Sequence, residues 1–263
     1  MNTLPEIALA GAKPALDERP LAKRVGLIIL ATDHTTEPDF QRLVAGPEIG
    51  VYVARIHYAN PTTPENLRKM QPDLTAGAGL ILPGEALDAV CYSCTAASAV
   101  IGEAAVRGAI QAAKPGVPVV TPTAAGVAGL RALGARRISV LTPYTVATTR
   151  PMVDYFARAG FEIASATCLG FEDDREMARI APRTLVELAR SAVADDAEAL
   201  FFSCTAVRAA LAAAEIERAI GRPLVGSNLA TAWACLRLCG DARPRPEIAR
   251  LMTLPLPQGW AGA

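Results

Sequence analysis

The chain has 263 residues, 51% of them apolar, and its 26 Lys and Arg balance 26 Asp and Glu. Zero formal charge with no block of like sign argues against nucleic acid as the main partner, since phosphate binding needs a local positive excess. No apolar run reaches the roughly 18–20 residues of a membrane span, and no Lys/Arg-then-apolar leader opens the chain, so no membrane role is expected and the expected compartment is the cytoplasm.

Residues 1–22, rich in Pro, Ala and scattered charge, read as a flexible lead-in. "RVGLIIL" (24–30) is a buried-strand pattern, and "VYVARIHYA" (51–59) is a second. Residues 65–82 read as helix, broken near Pro72. "LDAVCYSC" (87–94) is a strand, and residues 96–114 are one long Ala-rich helix stopped by Pro115-Gly116. "VPVVTP" (117–122) is a strand, residues 124–134 a helix ended by Gly134, and "RRISVLTPY" (136–144) starts the pattern again. Strands that are apolar throughout, alternating with helices, predict a parallel sheet covered on both faces.

The alternation contains a repeat. "DAVCYSCTAAS" (88–98) aligns with "EALFFSCTAVR" (198–208), at an offset of 110 (204 − 94). The strand at 24 aligns with that at 137, offset 113, and "VPVVTPTAAG" with "RPLVGSNLAT", offset 105 (222 − 117). Three matches in one order at nearly one spacing predict two similar halves. Reuse of generic strand-turn-helix units accounts for part of this similarity.

In a reducing compartment the six cysteines are core residues, metal ligands or catalytic thiols rather than disulfides. The repeat separates the first two. Cys91 aligns with Phe201, so its position asks for an apolar strand residue. Cys94 aligns with Cys204. A zinc site lacks its second half, and Cys235 and Cys239 fall on one helix face as packing residues. Cys94 and Cys204 are each expected where a strand ends and a helix begins, at the carboxyl edge of a parallel sheet where ligands bind. A helix N-terminus there would lower a thiol's pKa and would attract a carboxylate. Ser93, Thr95, Thr205 and Ala206, their neighbours in the two turns, are candidate substrate contacts. Two thiols across one cleft suit proton removal from one face of a carbon and delivery to the other. They also suit covalent addition by one and proton handling by the other. Neither route calls for a metal or an organic cofactor. The structural alternative is that Ser-Cys-Thr only packs a tight turn twice.

These residues resemble the aspartate/glutamate racemase superfamily, in its maleate isomerase and arylmalonate decarboxylase branch, over about residues 24–240. "SCTAAS" (93–98), "TPY" (142–144) and "FFSCTA" (201–206) carry the likeness. "GLIILATDHTTEPDF", "ANPTTPENL" and "VLTPYTVATTRPM" resemble more narrowly the ectoine-utilisation protein A group. The resemblance implies two pseudo-symmetric, doubly wound α/β domains with the active site between them. They would be 23–122 with 226–263, and 123–225. It implies a cofactor-independent isomerase or racemase acting on a small carboxylic or amino acid in ectoine breakdown. Cys94 and Cys204 would be catalytic, and Tyr144 would bind a substrate carboxylate. Maleate isomerases carry both cysteines and arylmalonate decarboxylases only the second, so the pair points to isomerisation. A homo-oligomer is expected.

Two positions depart from the maleate isomerase pattern, which has Asn at each. His34 and Asp174 stand there and are the candidate contacts in their place. An anionic Asp174 would repel a second carboxylate and suit an ammonium or amidine group. Their structural alternatives are a locally satisfied loop imidazole and a helix cap within "EDD" (172–174). Asn228, after the last strand, is a further candidate contact. Two other functions stay open: a decarboxylase using Cys204 as proton donor, and a non-catalytic protein that binds an ectoine metabolite.

Overall fold

The computed structural model describes residues 4–260 and 262. Met1–Thr3 of the expected lead-in lie outside the described residues; 4–20 are exposed and form no helix or strand.

Among the described residues, eight strands form two separate four-stranded parallel sheets. The first holds β1 (Lys23–Leu30), β2 (Ile49–Ile56), β3 (Ala89–Tyr92) and β4 (Val119–Val120), in the order β2-β1-β3-β4. The second holds β5 (Arg137–Thr142), β6 (Glu162–Cys168), β7 (Ala199–Phe202) and β8 (Leu224–Gly226), in the order β6-β5-β7-β8. The central strands are buried nearly end to end, as their continuous apolar runs require, whereas the edge strand β6 is half-exposed. Among the described residues, no helix is long and apolar enough to cross a membrane.

The repeat is present in the register. Leu27 pairs with Cys91 and Cys91 with Val120; Val140 pairs with Phe201 and Phe201 with Val225. The three offsets are 113 (140 − 27), 110 (201 − 91) and 105 (225 − 120), the same three that the sequence matches give. Cys91 and Phe201 are both fully buried, so the third strand of each sheet does ask for an apolar side chain there.

Between the strands of the first sheet run α1 (Thr36–Leu43), α2 (Pro64–Arg68), α3 (Asp73–Leu80), α4 (Thr95–Ile101) and α5 (Glu103–Ala113), with α6 (Pro122–Ala132) leading to the second. The helical stretch 65–82 is broken around Pro72, as expected. Residues 96–114 are not one helix. Gly102, at φ +92°, ψ 142°, separates α4 from α5, a backbone conformation essentially confined to glycine. The second sheet carries α7 (Val146–Arg158), α8 (Asp174–Arg179), α9 (Pro182–Ala192) and α10 (Ala213–Ile220). The last helix, α11 (Ser227–Leu238), follows β8 but packs against α6, α1 and β3 of the first sheet. Helix α4 packs against α7, so elements from both sheets meet beside the two Ser-Cys-Thr turns.

Candidate active site

Each third strand ends in Ser-Cys-Thr. The Ser93 amide donates to the Ile28 carbonyl at 2.8 Å, and the Ser203 amide to the Leu141 carbonyl at 2.8 Å, so the two turns leave their sheets alike. Beyond the serine they diverge. Cys94 is the N-cap of α4, in extended conformation, and its carbonyl accepts the Ser98 amide at 3.0 Å. Cys204 has φ +91°, and no helix follows until Ala213. The expectation of a helix directly after Cys204 is therefore wrong. The chain crosses 205–212 in bends and turns before α10 begins.

Cys94 and Cys204 line one cavity of about 20 Å³, roughly the room one water needs. Tyr144, Asp174, Thr205 and Ala206 line it too, as does Asp33. Tyr58, Thr62, Leu30, Leu67, Ala96 and Met177 complete the wall. The site thus draws on the ends of β1 and β3 and on the β5 and β7 turns.

The thiols are not in the electrostatic setting the sequence suggests. Burial pushes both up, each to about 12. At Cys94 the Ala97 amide works against it. At Cys204 the Tyr144 hydroxyl, the Ala206 amide (3.3 Å) and the Val207 amide all do. Desolvation outweighs these donors, so both sulfurs rest as neutral thiols near pH 7. The Cys204 sulfur also sits 3.9 Å from Met177 Sδ.

His34 does not join the site. It is exposed and borders an outer groove with Asp173, Arg175 and Arg179. Its neighbour Asp33 points inward instead. Asp33 accepts the Thr35 amide (2.8 Å), the Thr36 amide (2.7 Å) and the Thr36 hydroxyl (2.6 Å), a turn that fixes which residue faces the cavity. Burial raises the Asp33 pKa against these donors.

Within "EDD", Asp173 is the helix cap: it accepts the Arg175 amide at 2.9 Å and pairs with the Arg175 guanidinium. Asp174 is buried and faces the cavity, accepting from the Thr32 hydroxyl and from Asn60 Nδ2 (2.9 Å).

Three other candidates support the turns from behind rather than line the cavity. The Thr95 hydroxyl donates to Ser227 Oγ at 2.8 Å. Ser93 bonds the Thr36 hydroxyl at 3.2 Å, and its carbonyl accepts the Thr205 hydroxyl at 3.2 Å, which ties one cysteine turn to the other. Asn228 donates to the Thr205 carbonyl and to Asp39 Oδ2, both at 2.9 Å. Asn228 Oδ1 has no hydrogen-bond partner among the described residues, but none of the three side chains lines the cavity.

Sequence reasoning missed Asp33, Tyr58, Thr62 and Met177. The signal for Asp33 was present: Asp two and three residues ahead of two Thr at a helix start forms a local turn that directs its carboxylate. Tyr58 and Thr62, bonded at 2.5 Å, reach the cavity from the loop after β2, and no pattern in the sequence marks them.

Fold and cavity together define a two-sheet α/β protein with a pair of thiols between its sheets. The arylmalonate decarboxylase family model matches residues 88–252, and the chain belongs to that family. Arylmalonate decarboxylase of Bordetella bronchiseptica is 34% identical over 139 residues, 52% of this chain and 58% of that one, so the match spans less than two thirds of that relative. Maleate isomerase of Nocardia farcinica is 29% identical over 243 residues, 88% of this chain and 95% of its own. Among solved structures, a cysteine-to-serine variant of Nocardia farcinica maleate cis-trans isomerase with a covalently bound succinylcysteine intermediate superposes with a TM-score of 0.79 at 25% identity. It covers 88% of this chain and 98% of that one. A liganded double mutant of arylmalonate decarboxylase gives 0.78 at 28% identity, covering 87% and 98%.

Proposed function

We propose that this protein is a cofactor-independent isomerase or racemase that uses Cys94 and Cys204 on one carbon of a small carboxylic or amino acid. The observation that carries this is two cysteines at equivalent positions of a repeat, buried in the same cavity. One sulfur, as thiolate, takes a proton from the substrate carbon and becomes a thiol. The other, as thiol, gives its proton to the opposite face and is left as thiolate. Covalent addition of one sulfur to a double bond is the parallel route, supported by the succinylcysteine seen in the maleate isomerase relative. Tyr144 binds the substrate carboxylate, and flexible Met177 gives way as substrate enters. The chain would comprise two pseudo-symmetric domains, 23–122 with 226–263 and 123–225, and work as a cytoplasmic homo-oligomer.

The likeness of "GLIILATDHTTEPDF", "ANPTTPENL" and "VLTPYTVATTRPM" to the ectoine-utilisation group supports a role in ectoine or hydroxyectoine breakdown. The test is a panel of small amino and carboxylic acids, hydroxyectoine-derived acids included, incubated with protein in heavy water. Cysteine-dependent deuterium at one carbon supports racemisation; cis-trans conversion without it supports the covalent route. Carbon dioxide release from a malonate-type acid, lost in Cys204→Ser alone, would support the decarboxylase reading, which the arylmalonate decarboxylase relatives favour.

A further inference from the structure

Among the described residues, no cationic side chain bonds either of the two acids in the cysteine cavity. Asp33 and Asp174 are 5% and 6% exposed and line the same cavity as the thiols. No Lys, Arg or His lines it among the described residues. Arg55 lies near enough for its charge to act on Asp33, but neither it nor Arg175 bonds a cavity carboxylate. Arg55 donates to the Asp33 carbonyl and to the Glu37 carboxylate, each at 2.9 Å, and Arg175 pairs with Asp173. The donors that do reach the two carboxylates are neutral: hydroxyls, amides and Asn60. They hold the acids in place without cancelling their charge, and a buried carboxylate with no counter-charge is costly. Among the described residues, Asp174 accepts two side-chain donors, and a carboxylate has roughly four acceptor sites.

We propose that the substrate brings the missing cation: a protonated nitrogen that docks on Asp174, within the field of Asp33, while dicarboxylates are rejected. This rests on the two-thiol reading of the site and narrows its substrate class. It also gives the acids a part in the chemistry. The charge of Asp174 is among the influences that keep both sulfurs protonated. A cation seated there cancels that influence and turns the local field toward thiolate, so substrate arrival itself primes the base. Maleate, for which the isomerase relatives are named, would bring its second carboxylate against two acids instead.

The test uses 4-aminobutyrate and succinate, which match in length and differ in exchanging an ammonium for a carboxylate at one end. Calorimetric titration of the intact protein is expected to show 4-aminobutyrate binding at least about tenfold tighter. Asp174→Asn is expected to cost 4-aminobutyrate at least about tenfold and to narrow or reverse the preference. Because Asp174 opens α8, Asp33→Asn is titrated in parallel, and circular dichroism identifies which variants are folded. Succinate binding as well as 4-aminobutyrate, no difference between them (failure of both to bind included), or a preference unchanged in the folded variants would overturn the proposal. The same titrations in a Cys94→Ser/Cys204→Ser protein separate the two readings. If the ammonium preference persists and wild type shows no cysteine-dependent turnover, the reaction is wrong and the substrate class stands. If dicarboxylates win while turnover needs both thiols, the reverse holds.

Discussion

The Cys94 and Cys204 turns leave equivalent strands by equivalent hydrogen bonds, yet they hold their sulfurs differently. Cys94 caps a helix in relaxed, extended backbone, and one amide faces its sulfur. Cys204 sits at φ +91°, a conformation that costs a non-glycine residue about 1–3 kcal/mol, and three donors face its sulfur. The second turn gives up backbone comfort and gains a better anion setting. If the halves arose by repetition, the settings of their thiols did not stay symmetric: three donors face Cys204 and one faces Cys94, while burial holds both near 12.

Replacing the sulfurs tests this asymmetry hardest. Cys94→Ser and Cys204→Ser are each expected to lower turnover by about 10²–10⁴-fold, measured as initial rate on whichever acid the panel identifies. Loss confined to Cys204→Ser would remove Cys94 from the reaction.

The supports of the two turns come next. Gly102→Ala, which forces a Cβ onto a glycine-only conformation at the end of α4, is expected to cost about 1–3 kcal/mol in urea unfolding. Asn228→Ala removes the donor shared by the Thr205 carbonyl and Asp39, and is expected to cost about 1–3 kcal/mol. It should also change iodoacetamide labelling of Cys204 and leave that of Cys94 unchanged, as peptide mapping would read.

The titration of the thiols is a subtler comparison. Burial raises both to about 12, whereas an unfolded thiol ionises near about 8.5. Unfolded chains therefore lose these protons first, and the stability from burying neutral thiols is complete below about pH 8.5 and lost as pH climbs toward 12. Wild type should lose more stability than the double serine variant between pH 8 and 10, and Cys204 should label before Cys94. Tyr144→Phe, which removes one of the three donors to Cys204, should slow that labelling by about tenfold or less.

Much of this was legible in the sequence. Continuous apolar strands gave the parallel sheets, and the 113, 110 and 105 offsets anticipated the register. The match of Cys91 to Phe201 separated a core thiol from a site thiol. What was not legible depends on direction and solvation. Whether His34 or Asp33 faces inward is decided by an Asp turn one residue long. Whether a thiol at a sheet edge is acidic depends on how deeply other chain segments bury it. Tyr58, Thr62 and Met177 reach the cavity from loops and a short helix whose local sequence has no periodicity to read.

The proposed reaction requires both sulfurs to act at one substrate carbon. Heavy-water incubation of wild type, Cys94→Ser and Cys204→Ser with the acid panel, followed by mass spectrometry and chiral or cis-trans separation, tests it most directly. Wild type is expected to invert or isomerise one acid, and both single variants to lose that conversion. Turnover at the wild-type rate by either variant would contradict that requirement.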